Sequence, residues 1–142
     1  DALRLGRIDF ALCVPEKLMK RVSEAPALSD VMKTLPMATI AGDGQFRSQL
    51  DAFAKRNRFK FQNVVECNSQ SQVQSFLATG TVAAVLPVRL ATNLPHVISF
   101  PMNEADGFRR EAAMVWLPAR LAVMTELEAV RGELGKLLAK PV

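Results

Sequence analysis

The sequence predicts an α/β domain built on an open, largely parallel sheet. Short apolar runs alternate with segments of helical spacing, and a proline or glycine stands where most of them end. Composition agrees: 49% hydrophobic and 23% charged residues over 142 positions is ordinary globular usage, enough to bury a core without disulfide or metal staples. One domain, or two small lobes, is what this length allows. No repeat, low-complexity stretch or Gly/Ser-rich linker interrupts the pattern, so two lobes would be joined by extended strands such as Leu12 to Pro15 and Val85 to Pro87.

Ile8 to Val14 is a nearly continuous apolar run halted by Pro15, which suits a strand buried on both faces. Helical spacing follows in Leu18, Met19 and Val22, then a short helix over 28–35 ends before Pro36. Met37 to Ile40 reads as the next strand. Ala41-Gly42-Asp43-Gly44 is a turn able to supply positive φ, and it opens a helix with Phe46, Leu50, Phe53 and Ala54 on one face. Strand 61–67 leads to a helix capped by Asn68 or Ser69, with Val73, Phe76 and Leu77 as its apolar face and Gly80 as its C-terminal glycine. Strand 82–86, a short helix over 87–94, strand 96–100, a loop over 101–109 and strand 111–117 complete the alternation. A long helix over 121–140 places Leu127, Val130, Leu134, Leu137 and Leu138 on one face and is expected to close against a core.

Several function classes lose support at once. One histidine and two distant cysteines, Cys13 and Cys67, cannot supply a zinc site in any recognised spacing, so no metal is expected. The cysteines lie in apolar runs, where packed reduced thiols are the expectation, and His96 beside Pro95 fits a surface or core-edge histidine better than a catalytic base. No nucleophile elbow or divergent carboxylate pair occurs, so no catalytic residue and no cofactor is assigned. The net charge is +4, and the densest cationic group, Lys55-Arg56-Asn57-Arg58-Phe59-Lys60, lacks a recognition-helix frame. It reads as solvated cations at a helix C-terminus. No apolar run reaches the roughly twenty residues of a membrane helix, no leader pattern is present, and the absent initiator Met suggests a chain cut from something longer. A cytoplasmic protein is expected.

What remains is anion chemistry at helix starts. Gly42-Asp43-Gly44 is half of a phosphate-binding fingerprint, without the third glycine or a P-loop lysine. A helix opening after a glycine turn nevertheless offers amides to carboxylate or phosphate, and the pattern occurs near Gly42 to Gln45 and again near Asn68 to Gln72. Asp43 and Ser69 could equally cap their own helices, and the two roles can coexist. Arg47 is either a ligand clamp or a solvated charge.

The order of motifs resembles the effector-binding domain of LysR-type transcriptional regulators. The resemblance runs through Leu12-Cys13-Val14-Pro15-Glu16-Lys17-Leu18, Leu28-Ser29-Asp30-Val31 with Leu35-Pro36, and Phe46 to Phe53. It is fullest over Val65 to Pro87, where Ala78-Thr79-Gly80-Thr81-Val82-Ala83-Ala84-Val85-Leu86-Pro87 is similar to the family's helix end, turn and returning strand. Arg110 to Trp116 and the closing helix fit the family's ending. Gly80-Thr81-Val82 lacks the family's second glycine. An alternative alignment makes Leu5 to Ala11 a family strand.

This resemblance implies a periplasmic-binding-protein-like two-lobe fold, with the second lobe complete (about 15–86) and the first partial (1–14 and 87–142). It implies a small effector held between the lobes, a homodimer or tetramer formed through this domain, and DNA contact only through a helix-turn-helix domain that this stretch does not contain. Pocket candidates by resemblance are Ala41, Gly42, Asp43 and Gly44, Ser69 and Gln70 at a helix start, and Thr79, Gly80 and Thr81 at the crossover. Their amides and hydroxyls are expected to converge on one cleft and to hold a small anionic metabolite by charge-assisted hydrogen bonds. A solute-binding protein of a transport system shares the fold and is the alternative. A transferase or dehydratase on the same scaffold would need an acid, base or nucleophile that this sequence does not offer.

Overall fold

The computed structural model describes residues 2–24, 26–42, 44–102, 107–108, 110–121 and 124–138. They fall into two compact units, Asp9–Phe108 and the pair of segments Asp1–Ile8 with Arg109–Val142.

The Asp9–Phe108 unit holds a five-stranded sheet in the order Gln62–Cys67, Pro36–Ile40, Ala83–Pro87, Phe10–Pro15, Val97–Met102. Its strands are β2 (Phe10–Pro15), β3 (Pro36–Ile40), β4 (Gln62–Cys67), β5 (Ala83–Pro87) and β6 (Val97–Met102). Between them lie α1 (Glu16–Met19), α2 (Leu28–Thr34), α3 (Gln45–Arg56), α4 (Gln70–Ala78) and α5 (Val88–Ala91). Every residue of β2 is buried, as its unbroken apolar run requires of a strand covered on both faces. The two faces differ. Ala11 and Cys13 join Ala38, Cys67, Ala84 and Leu86 in a small-residue layer packed with Val73 and Leu77 of α4. From the same strand Phe10 stacks on Phe46 of α3, ring centres 5.3 Å apart, and Phe108 packs against Phe10, Phe46 and Phe53 at 5.9–6.3 Å. Alternation along a strand puts small side chains under one helix and aromatics under another.

Strand direction departs from the largely parallel expectation. β3 is parallel to β4 and β5, but β2 runs antiparallel to both β5 and β6. An apolar run buried on both faces carries no record of its direction, which the connections decide. The unit also reaches beyond 15–86, because β2 and β6 belong to the same sheet as β3 and β5. The segments Leu12 to Pro15 and Val85 to Pro87, expected as connections between lobes, lie in the adjacent strands β2 and β5 inside that sheet, and β2 pairs on its other side with β6.

The helices follow their spacing. In α3, Phe46, Leu50, Phe53 and Ala54 are the buried residues. In α4, Val73 and Leu77 are buried, whereas Phe76, one position off that stripe, is 41% exposed. Gly80 ends that helix with φ +75°, a left-handed conformation that favours glycine. The 16–22 segment keeps helical form only to Met19, and the 87–94 segment only from Val88 to Ala91.

The second unit pairs β1 (Ala2–Ile8) antiparallel with β7 (Arg110–Val115), and carries α6 (Pro118–Leu121) and α7 (Thr125–Leu138). β1 was not expected as a separate strand; Asp9 divides the apolar run into two strands of different sheets. A bulge between Arg4 and Gly6, the glycine at φ +136°, shifts the register of the pair. The Arg131 guanidinium lies 5.0 Å from the Trp116 ring centre, a cation–π contact from α7 to the end of β7. The α7 face does not close against a core as expected: Leu127, Val130, Leu134 and Leu137 are 37–65% exposed. A two-stranded ribbon offers too little surface to cover an amphipathic helix. The side chain of Leu138 lies outside the described residues.

Candidate functional site

The parallel pair β3 and β4 ends level, Ile40 beside Cys67, and the Ala41 amide donates to the Cys67 carbonyl at 2.7 Å, one step past the strands. Both chains turn here into a helix. Beyond β3 the backbone passes Gly42 at φ +98° and Gly44 in extended form, and α3 starts at Gln45 with Gly44 as its N-cap. A glycine N-cap contributes no side-chain acceptor, and a Cβ placed on Gly42 or Gly44 would meet nothing within 4 Å. Asp43, the other expected cap or contact, lies outside the described residues.

Beyond β4, Ser69 is the N-cap of α4, its hydroxyl accepting from the Gln72 amide at 3.3 Å. The Gln72 side chain reaches back, its carboxamide oxygen accepting from the Asn68 amide at 2.7 Å. Ser at the cap and Gln three residues on form a reciprocal capping box, shifted by one residue at its return bond. Gln70, the first residue of α4, places its Oε1 in a buried position where no described donor meets it. A buried acceptor without a donor is uncommon.

Arg47 is committed elsewhere. Its Nε donates to both Asp51 oxygens at 3.2 and 3.3 Å, and Nη1 donates to Glu66 Oε1 at 2.9 Å and to Thr39 Oγ1 at 3.3 Å. The Glu66 hydrogen bond above all, followed by Asp51, raises its pKa further. This guanidinium ties α3 to β3 and β4 and gives Thr39, the buried polar residue of β3, a partner. The sequence signal for it was the Arg47/Asp51 spacing of four on a helix; nothing local marked Glu66 or Thr39 as partners.

The crossover group stands apart. The Thr79 hydroxyl donates its one proton to the Phe76 carbonyl at 2.6 Å, so the 2.6 Å contact between Thr79 and Thr81 has Thr81 donating. These residues precede β5, whose Ala83 pairs with Met37 near the start of the parallel strand β3. They therefore sit at the edge of the sheet where β3 begins, opposite the edge where Ala41, Gly42, Gly44, Ser69 and Gln70 gather. The expected convergence of all three places on one cleft does not occur. Thr79 and Gly80 instead line a cavity of about 170 Å³ with Glu16, Lys17 and His96, well below the volume of ordinary ligand pockets. His96, at φ +56°, is exposed there, its Nδ1 3.6 Å from Glu16.

Cys13 and Cys67 are both free and buried, and burial pushes both thiols up, with a hydrogen bond from Ser99 partly opposing this at Cys13. Such thiols are poor nucleophiles. Among the described residues no group of three His, Cys, Asp or Glu side chains could hold a metal ion. No described helix is long and apolar enough to cross a membrane.

No protein-family model matches the chain, and no curated protein does. Solved structures do: the α/β fold is that of the regulatory domains of LysR-family transcriptional regulators, a periplasmic-binding-protein-like fold. A protein described as a transcriptional regulator of Vibrio parahaemolyticus superposes with a TM-score of 0.72 at 12% identity, over 98% of this chain and 64% of that one. The effector-binding domain of BenM with its effector benzoate gives 0.58 at 11%, over 99% and 66%. CbnR, a LysR-family regulator, gives 0.56 at 12%, over 72% of this chain. The chain spans 36% of CbnR's length and 64% of the Vibrio protein's. At these identities the likeness establishes the fold, and the fold found is the one that the sequence motifs imply.

Proposed function

We propose that this chain is the ligand-sensing domain of a cytoplasmic LysR-type transcriptional regulator, without catalytic activity of its own. It binds a small anionic metabolite, and binding modulates how a helix-turn-helix domain engages DNA, in a homodimer or tetramer assembled through this domain. The supporting observation is the level ending of β3 and β4, which brings two helix starts, at Gly44 and Ser69, to one edge of the sheet. In open α/β sheets ligands lodge beyond the carboxyl ends of the strands, and helix N-termini there favour negative charge. Ala41, Gly42, Gly44, Ser69 and Gln70 are the proposed contacts. Asp43 stays a candidate on sequence grounds alone, and Thr79, Gly80 and Thr81 would serve by holding the start of β5.

Titration of the intact regulator with small carboxylates, followed by thermal shift, tests this, since a ligand of the native state must raise apparent stability. Gly42→Glu and Ser69→Glu each bring a like charge to the edge and are expected to abolish the shift. A shift that survives both substitutions would refute the placement.

A further inference from the structure

A groove runs along one side of α3 from Arg47 to Lys55. Arg47, Asp51, Ala54 and Lys55 form one stripe of that helix, and the segment Phe59-Lys60-Phe61 runs back beside it, enclosing a groove of about 460 Å³. That volume falls within the range of small-molecule sites. We propose that this groove binds a small anion with a flat apolar body, an aromatic carboxylate or sulfonate.

The wall that would receive the ring is already in place. Phe59 and Phe61 meet edge to face with centres 5.3 Å apart, and Phe59 is braced the same way on buried Phe53 at 6.1 Å. Two half-buried rings fixed by a third lose little freedom when a ligand ring packs on them, so the ordering cost of binding is small. Buried Ala54 adds an apolar surface without bulk.

Charge selects the ligand's sign. At one end Arg47 is occupied by Asp51 and Glu66, so that end offers no spare cation. At the other end Lys55 and Lys60 are exposed, and their ammonium groups have no ion pair or hydrogen bond among the described residues. Nor are they needed to cap α3. The Phe53 carbonyl accepts from both the main-chain and side-chain amides of Asn57, and the Ala54 carbonyl accepts from the Phe59 amide. Two uncompensated ammonium groups beside an aromatic wall match an anion carried on a ring. A cation or a neutral ring gains only the apolar contact. The groove shares no residue with the contacts proposed at the sheet edge and does not depend on them.

Calorimetric titration of the whole chain with naphthalene-2-sulfonate is the test. One saturable site is expected, with affinity near the millimolar end of the scale because the groove is open. The exposed double variant Lys55→Glu/Lys60→Glu should keep its far-ultraviolet circular dichroism and lose at least about tenfold in affinity, as like-charge repulsion replaces attraction. Phe61→Ala should weaken binding about fivefold or more, as loss of a stacking face does elsewhere. The uncharged naphthalene-2-sulfonamide should bind worse than the sulfonate. No saturable binding, or equal binding by a folded double variant, would overturn the proposal. So would binding abolished by Ser69→Glu and untouched by the lysine changes, which would put the probe at the sheet edge instead.

Discussion

Two roles meet at Ser69, one structural and one proposed, and one pair of substitutions separates them. Its hydroxyl caps α4 through the Gln72 amide, and it stands at the edge where an anion is proposed to bind. Ser69→Ala removes the cap and should cost about 1 kcal/mol of stability. Ser69→Asp keeps a capping oxygen and places a carboxylate at a helix N-terminus, worth about 0.3–1 kcal/mol in its favour, so its stability should match or slightly exceed the parent's. Binding should move the other way. A carboxylate about 5 Å from a bound anion opposes it by about 3 kcal/mol at an effective dielectric constant near 20, and by about 1 kcal/mol in water. Ser69 is exposed, so the lower half of that span applies, a five- to thirtyfold loss at about 1.4 kcal/mol per factor of ten. Salt at physiological strength leaves most of this intact, because about 8 Å of screening length exceeds the separation. Urea unfolding followed by circular dichroism gives the stabilities, and calorimetry with inorganic sulfate gives the affinities. Equal destabilisation by Ala and Asp would refute the cap, and unchanged sulfate affinity in Ser69→Asp would refute the anion site.

Further outcomes follow from the core. Phe108→Ala removes the ring that packs on Phe10, Phe46 and Phe53 and should cost about 3–5 kcal/mol in urea unfolding; a loss under about 1 kcal/mol would mean those rings repack without it. The buried thiols predict an alkaline weakness. Their native pKa values lie above the ordinary thiol value, so the folded state holds its protons longer than the unfolded chain and loses stability as pH rises from about 8.5 toward the raised native values. The chain has no Tyr to confuse that window. A Cys13→Ala/Cys67→Ala variant should show a flatter stability profile there, and an unchanged slope would assign the effect to other groups.

Much of the fold was legible because it depends on local periodicity. The buried face of α3 followed from the spacing of Phe46, Leu50, Phe53 and Ala54, and the ends of α4 followed from the pair Asn68-Ser69, of which the structure uses Ser69, and from Gly80, since caps and left-handed turns are set by residue type. Sequence spacing failed for α7, whose stripe of Leu127, Val130, Leu134 and Leu137 is amphipathic yet stays largely exposed, because a helical pattern states which face is apolar without supplying the surface that covers it.

The sequence by itself determined the α/β class, helix starts near Gly42 to Gln45 and near Asn68 to Gln72, the buried state of Cys13 and Cys67, and a motif order resembling LysR regulatory domains, since all of these rest on residue type and short-range spacing. Tertiary structure alone decided that β2 runs against its neighbours, that Arg47 is consumed by Asp51 and Glu66, and that Thr79 to Thr81 face the opposite edge from Gly42 and Ser69. Each of those depends on which strand lies beside which and in what direction. That is a property of long-range pairing, on which neighbouring residues in the chain are silent.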